Sequence, residues 1–172
     1  MSDPADNPTT VALPKPRKAP KPSAKARRSA ARLGAVQALY ALAQTRAEVD
    51  AVIADFMDRR FGEEVDGDVY IMPEPTQFAM LVRGVVGRHQ EIETLLEDNL
   101  IAPWTLDRLE LLLRLILRCG IYELLAHRET PVGIIISDYM SITDAFFAGK
   151  EPTIVNAVLD RIAKAIRHPD PA

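Results

Sequence analysis

From Ser23 to Thr45 the apolar positions Ala35, Val36, Leu39, Tyr40 and Ala43 share one face at i, i+3, i+4 spacing. This predicts a helix of about six turns with Ser23 as its N-cap. Ala47 to Phe61 repeats the pattern with Val49, Val52, Ile53, Phe56, Met57 and Phe61, and Gly62 ends it. The stretch that follows reads as loop, punctuated by Gly67, Pro73 and Pro75. A third helix is predicted from a Thr76 cap to about Leu100, with Phe78, Leu81, Val82, Val85, Ile92, Leu95 and Leu96 inward. Gly84 and Gly87 lie within it, where close helix contact is a cheaper explanation than ligand binding.

Pro103 separates that helix from Leu106–Leu125, LDRLELLLRLILRCGIYELL, which is apolar on almost every bearing. A helix apolar all round is buried all round, so this segment is the predicted central rod. Glu110, Arg114 and Arg118 are four apart and predict one polar seam along it. Twenty residues span about 30 Å as a helix, enough for a bilayer. The charges inside the segment argue against a membrane span. Beyond the rod, Thr130 and Pro131 predict a helix start with Thr as cap, and Gly149 a stop. Glu151 and Pro152 open a last helix with Val155, Val158, Leu159, Ile162 and Ile166 inward. No strand and no internal repeat is expected.

The fold class that follows is all-α, a bundle of about six to seven helices. The 172 residues make one domain, and scarce aromatics favour helix-on-helix packing over a sandwich. Residues 1–22 hold six of the thirteen prolines, alternating with Lys and Arg, and read as a disordered leader. The helical domain is placed at 23–168 and a frayed end at 169–172. A single cysteine, Cys119, and the lack of an apolar secretory h-region point to the cytoplasm.

Charge changes the picture further. The net charge of −3 conceals eight basic side chains against Asp3 and Asp6 in residues 1–32. The remainder carries thirteen basic and twenty-two acidic residues. A basic end on an acidic body suits a protein that grips a polyanion at one end. Lys25, Arg28 and Arg32 project onto the stripe that carries Ala35 and Leu39, so the first turns are predicted to overhang the body as a cationic arm. Arg32, nearest the core, has the competing structural role of pairing with a carboxylate from a neighbouring helix.

Nothing in the sequence assembles a catalytic or metal centre. The three histidines are scattered, no CxxC or HExxH spacing occurs, and no glycine-rich loop follows a strand. Cys119 sits in the most buried helix and reads as an inert thiol. Asp138 and Asp144, six apart, make a poor acid/base pair. The chain reads as a binder, with no cofactor.

Four segments in order, ARRSAARLGAVQALYAL (26–42), LRCGIYELL (117–125), TPVGIIISDYMSIT (130–143) and IVNAVLDRIA (154–163), resemble NusB-type transcription antitermination factors. The resemblance runs from about Lys25 to Arg167. It implies two three-helix sub-bundles sharing a long central helix. It also implies an RNA-binding adaptor that pairs with NusE, a ribosomal small-subunit protein. The pair would hold single-stranded boxA RNA in a transcription elongation complex and support processive transcription of ribosomal RNA operons.

Carried over, the arginine-rich motif falls on Arg27, Arg28 and Arg32, beside Lys25, and the tyrosine of AVQALY is Tyr40. The family's FVNGVLD falls on residues 154–160, with Ile154 where an aromatic is common, and Asn156. Cations neutralise phosphates and an aromatic carries a splayed-out base, which makes these the expected RNA-binding residues. Two alternatives stay open: a relative of the helical domain fused to RNA cytosine methyltransferases, and a structural homodimer joined through an apolar face.

Overall fold

The structure, a computed structural model, describes residues 20–61, 64–65, 68–69 and 71–167. Most of the expected leader, residues 1–19, and the expected frayed end lie outside these residues. Helix α1 (Ala24–Thr45) begins as the sequence predicts, with the Ser23 hydroxyl accepting from the Ala26 N–H at 3.1 Å. It ends at Arg46, whose φ of 54° is left-handed.

Helix α2 (Val49–Asp55) is shorter than predicted, because Phe56–Arg60 widens into a π-helical turn. That turn brings Phe56 and Phe61 against Phe78, with ring centroids 5.0 to 6.0 Å apart. Gly34 of α1 permits the approach, since a Cβ there would lie 2.7 Å from the Phe61 ring. The expectation of no strand is corrected by a short antiparallel hairpin, β1 (Glu64–Val65) with β2 (Asp68–Val69). Its sequence signal was the Asp66-Gly67 dipeptide between two valine-bearing pairs, a strong hairpin turn signal.

The predicted third helix is two. Helix α3 (Pro75–Gly87) gives way at Arg88, with φ −107° and ψ 23°, to α4 (His89–Asn99). Arg88 is held there by Glu91 at 2.7 and 2.8 Å. The cap of α3 is Glu74, not Thr76: its carboxylate accepts from the N–H groups of Thr76 and Gln77, with Pro75 as first residue.

The rod also differs from its prediction. Leu106–Arg108 forms a 3₁₀ turn, Leu109 and Glu110 are extended, and α5 (Leu111–Ala126) starts only after them. The kink turns Leu109 inward, leaving it 6% exposed. It also dissolves the predicted seam: Arg114 donates to the Leu106 carbonyl, while Arg118 pairs with Glu93 of α4 at 2.6 Å. Helix α6 (Val132–Phe146) begins one residue later than predicted, with Pro131 rather than Thr130 at the cap position. Helix α7 (Glu151–Arg167) starts where Glu151 and Pro152 place it.

The architecture is all-α, with α5 as its hub. Helix α5 packs against α1, α3, α4, α6 and α7, so α1–α3 and α6–α7 form sub-bundles on either side of it. Its side chains from Leu115 to Leu124 are buried except for Arg118. Gly84 lets α3 approach, since a Cβ there would lie 1.9 Å from the Tyr122 ring. Arg167, at the end of α7, caps α5. It donates to the carbonyls of Glu123, Leu124 and His127 and to that of Thr130, adding a second donor to Glu123 and His127, which already accept from the N–H groups of His127 and Thr130.

Candidate nucleic-acid interface

The first turns of α1 do not overhang freely. The backbone carbonyl of Arg27 accepts from the Glu74 N–H at 3.0 Å. Its guanidinium leans on the carbonyls of Met72 and Pro73, both at 3.4 Å. Arg27 is therefore half-buried, whereas Lys25 and Arg28 are exposed. Among the described residues, neither Arg27 nor Arg28 meets a carboxylate.

Arg32 is the correction. Expected as an RNA-binding residue, it is 2% exposed and wholly engaged inside the body. It forks onto Glu123 of α5 at 2.7 and 2.8 Å and reaches Asp138 of α6 at 2.6 Å. The Tyr139 hydroxyl donates to Glu123 at 2.6 Å, and the Ser29 hydroxyl to Asp138 at 2.8 Å. Burial disfavours the Arg32 charge, but the Glu123 hydrogen bonds and field outweigh it, so its pKa rises above the ordinary arginine value. Burial first, and then the Glu123 charge, hold the Tyr139 hydroxyl protonated well above the usual tyrosine range. The stripe that carries Ala35 and Leu39 thus continues one turn further as core, with its charge neutralised internally. Arg32 ties α1 to α5 and α6 and offers nothing to a phosphate.

What α1 does present is one wall of a groove. Lys25, Ser29, Leu33 and Gln37 line it, opposite Ser137, Asp138 and Ser141 of α6, with Phe61 and Ile71 closing one side. Its volume of about 690 Å³ lies within the range of small-ligand sites. Gln37 and Phe61 also line an adjoining hollow with Tyr40, Arg60, Leu112 and Phe146. The two make one trough along α1, from Lys25 to Tyr40, about 22 Å by helical rise. Tyr40 and Phe146 are 41% and 44% exposed within it.

Asn156 lies across a ridge. It lines a shallower groove between α6 and α7, and Ser137 and Ser141 border both grooves. Ile154 is half-buried against the core and lines neither groove. The structure thus gathers Lys25 and Tyr40 into one trough, with Arg28 on the arm and Asn156 beyond the ridge. Sequence reasoning missed Gln37, Arg60, Phe61, Phe146 and the pair Ser137 and Ser141. The serines carried a signal: with Asp144, two hydroxyls four apart place polar residues on one face of a mostly apolar helix and mark a solvent-facing stripe.

Among the described residues, no cluster of His, Cys, Asp or Glu could hold a metal ion, and no helix is long and apolar enough to cross a membrane. Cys119 is fully buried, and burial pushes its thiol pKa up, away from the reactive thiolate.

Comparison with known proteins adds the family. The family model described as NusB matches residues 29–164. The transcription antitermination protein NusB of Agrobacterium fabrum is 45% identical over 140 residues, covering 81% of this chain and 85% of that protein. The protein of the same name from Sinorhizobium fredii is 44% identical over 140 residues, covering 81% of this chain and 88% of its own. Among solved structures, NusB of T. maritima superposes with a TM-score of 0.67 at 23% identity, covering 84% of this chain and 93% of that one. A crystal structure of the antitermination factors NusB and NusE in complex with double-stranded RNA gives a TM-score of 0.65 at 23% identity, with 80% and 96% covered. On its own sequence, over most of its length, this chain belongs to the NusB family.

Proposed function

We propose that this protein is a transcription antitermination factor that holds single-stranded, boxA-like RNA together with a NusE protein. It would act within the elongation complex, in the cytoplasm, and sustain transcription of ribosomal RNA operons. The observation that carries the reading is the α1 trough, with a cationic mouth at Lys25 and an exposed aromatic at Tyr40. Phosphates of a single strand suit Lys25, Arg28 and the outer edge of Arg27, while bases stack on Tyr40, Phe61 and Phe146. Asn156 offers a further polar contact over the α6 ridge. The acidic remainder of the body suits a basic partner such as a ribosomal protein. The names of the relatives support this role, and the solved NusB–NusE complex supports the kind of partner. The relatives' names favour this reading over that of a methyltransferase accessory domain.

The test is filter binding of boxA-like RNA, with NusE present, across a salt series. With Arg32 withdrawn, about four cations of the described N-terminal residues (Lys21, Lys25, Arg27 and Arg28) are left to meet phosphates. That gives a log–log salt slope of about −3 for a single strand. Replacing Lys25 and Arg28 with Ala should weaken boxA-like and scrambled RNA alike and reduce the slope by about 1 to 2. A salt-independent affinity, or unaltered binding by the double variant, would overturn the reading.

A further inference from the structure

The groove wall carries a negative group that phosphate contacts cannot use. Asp138 projects from α6 into the groove, with its side chain 17% exposed. One oxygen, Oδ2, accepts from both the Ser29 hydroxyl and Arg32. The other, Oδ1, accepts from no described residue, on a side chain that keeps part of its surface open to solvent. Glu123 and Asp138 together outnumber the single Arg32 charge that they share. A phosphate is therefore repelled at this point of the groove, whereas an N–H donor is drawn to it.

Leu33, Phe61 and Ile71 line the same groove and suit the flat face of a nucleobase, and Lys25 stands at its mouth. That cation favours a nucleic-acid strand over a lysine or arginine side chain from a protein. The geometry points to Asp138 as a base-reading residue: its open oxygen accepts an exocyclic amino group, so one position in the groove takes adenine, cytosine or guanine in preference to uracil. This rests on the RNA-binding reading above and adds what the groove selects. Uracil presents two carbonyl acceptors on either side of its one N–H, and both face an acceptor unfavourably. The amino-bearing bases place a donor there instead. Ser29 and Arg32 hold the carboxylate in place, so the acceptor is preorganised.

The test uses the full chain with NusE and boxA-like RNA in which each adenosine in turn is replaced by purine riboside, which lacks the amino group. Cytidines are replaced in turn by uridine and guanosines by inosine. For the wild type, one position should lose about tenfold in affinity, the size of one hydrogen-bonded discrimination. Asp138→Asn keeps an oxygen for Ser29 and Arg32 but can turn an amide N–H₂ into the groove. In that variant the loss at that position should vanish, and uracil there should become the better ligand. If no position in the wild-type scan loses affinity, the assignment is overturned, whether or not the variant folds. If Asp138→Asn weakens NusE binding while base preference stays as in wild type, the carboxylate serves the protein partner and the assignment is again overturned. Absence of any RNA binding by the wild type overturns the functional reading itself, and this inference with it.

Discussion

Replacing Glu123 with Leu removes the acceptor at the centre of the buried network. The Glu123 carboxylate is inaccessible to solvent and takes two hydrogen bonds from Arg32 and one from Tyr139. Without it, the guanidinium keeps only Asp138, and the Tyr139 hydroxyl, inside the protein, has no acceptor. Removing one partner of a buried ion pair costs about 3–5 kcal/mol, and an orphaned buried hydroxyl about 1–3 kcal/mol more when nothing relaxes. Partial relaxation overlaps the two, so a loss of about 4 kcal/mol is expected, a large share of the roughly 5–15 kcal/mol that holds a domain folded. Urea unfolding followed by far-UV circular dichroism measures it, as a lower midpoint at unchanged slope. The triple variant Arg32→Met, Glu123→Leu, Tyr139→Phe removes all three polar groups together. It should recover to within about 2 kcal/mol of wild type, because the one carboxylate that loses its cation, Asp138, keeps the Ser29 hydrogen bond and is partly exposed to solvent. A single variant within about 1 kcal/mol of wild type, or a triple variant as unstable as the three singles summed, would show that the buried network does not act as one unit.

Four further outcomes follow from the packing. Gly84→Ala drives a Cβ into the Tyr122 ring and should cost about 1–3 kcal/mol, read as a lower melting temperature. Gly87→Ala meets nothing within 4 Å and should be neutral or raise stability by up to about 1 kcal/mol. Arg167→Ala frees four carbonyl contacts at the end of α5 and should lower stability by about 1.5–3 kcal/mol, with faster amide exchange confined at first to residues 123–130. Cys119, whose thiol is held protonated by burial, should resist alkylation at pH 8 in the native state and react fully in urea; rapid native labelling would contradict its place in the core.

Helix faces were legible because burial in this fold follows the i, i+3, i+4 repeat closely. Ala35, Val36 and Leu39 of α1 and Val155, Val158, Leu159 and Ile162 of α7 are buried as their spacing predicts, whereas Tyr40 and Ala43, on the same predicted face of α1, are exposed. Breaks were harder to read. At Arg88 the apolar stripe continues on both sides of the bend, so periodicity alone gives no sign of it. At Leu109 a residue that looks like part of the rod instead turns inward from an extended segment.

Arg32 shows the limit for the site. Its position on the apolar stripe was visible, but whether a charged stripe position overhangs or folds in depends on carboxylates 91 and 106 residues away. Phe61, Arg60 and Phe146 reach the trough through a π-helical turn and a helix end, and neither feature has a distinctive spacing in sequence.

On the proposed function, the trough along α1 between Lys25 and Tyr40 receives a single RNA strand. Photo-crosslinking addresses it directly: boxA-like RNA with 4-thiouridine at successive positions is bound with NusE, irradiated and mapped by mass spectrometry. Adducts are expected on the peptides that carry Tyr40, Phe61 or Phe146. Adducts confined to the opposite α3–α4 surface, around Met80 and Thr94, would contradict it.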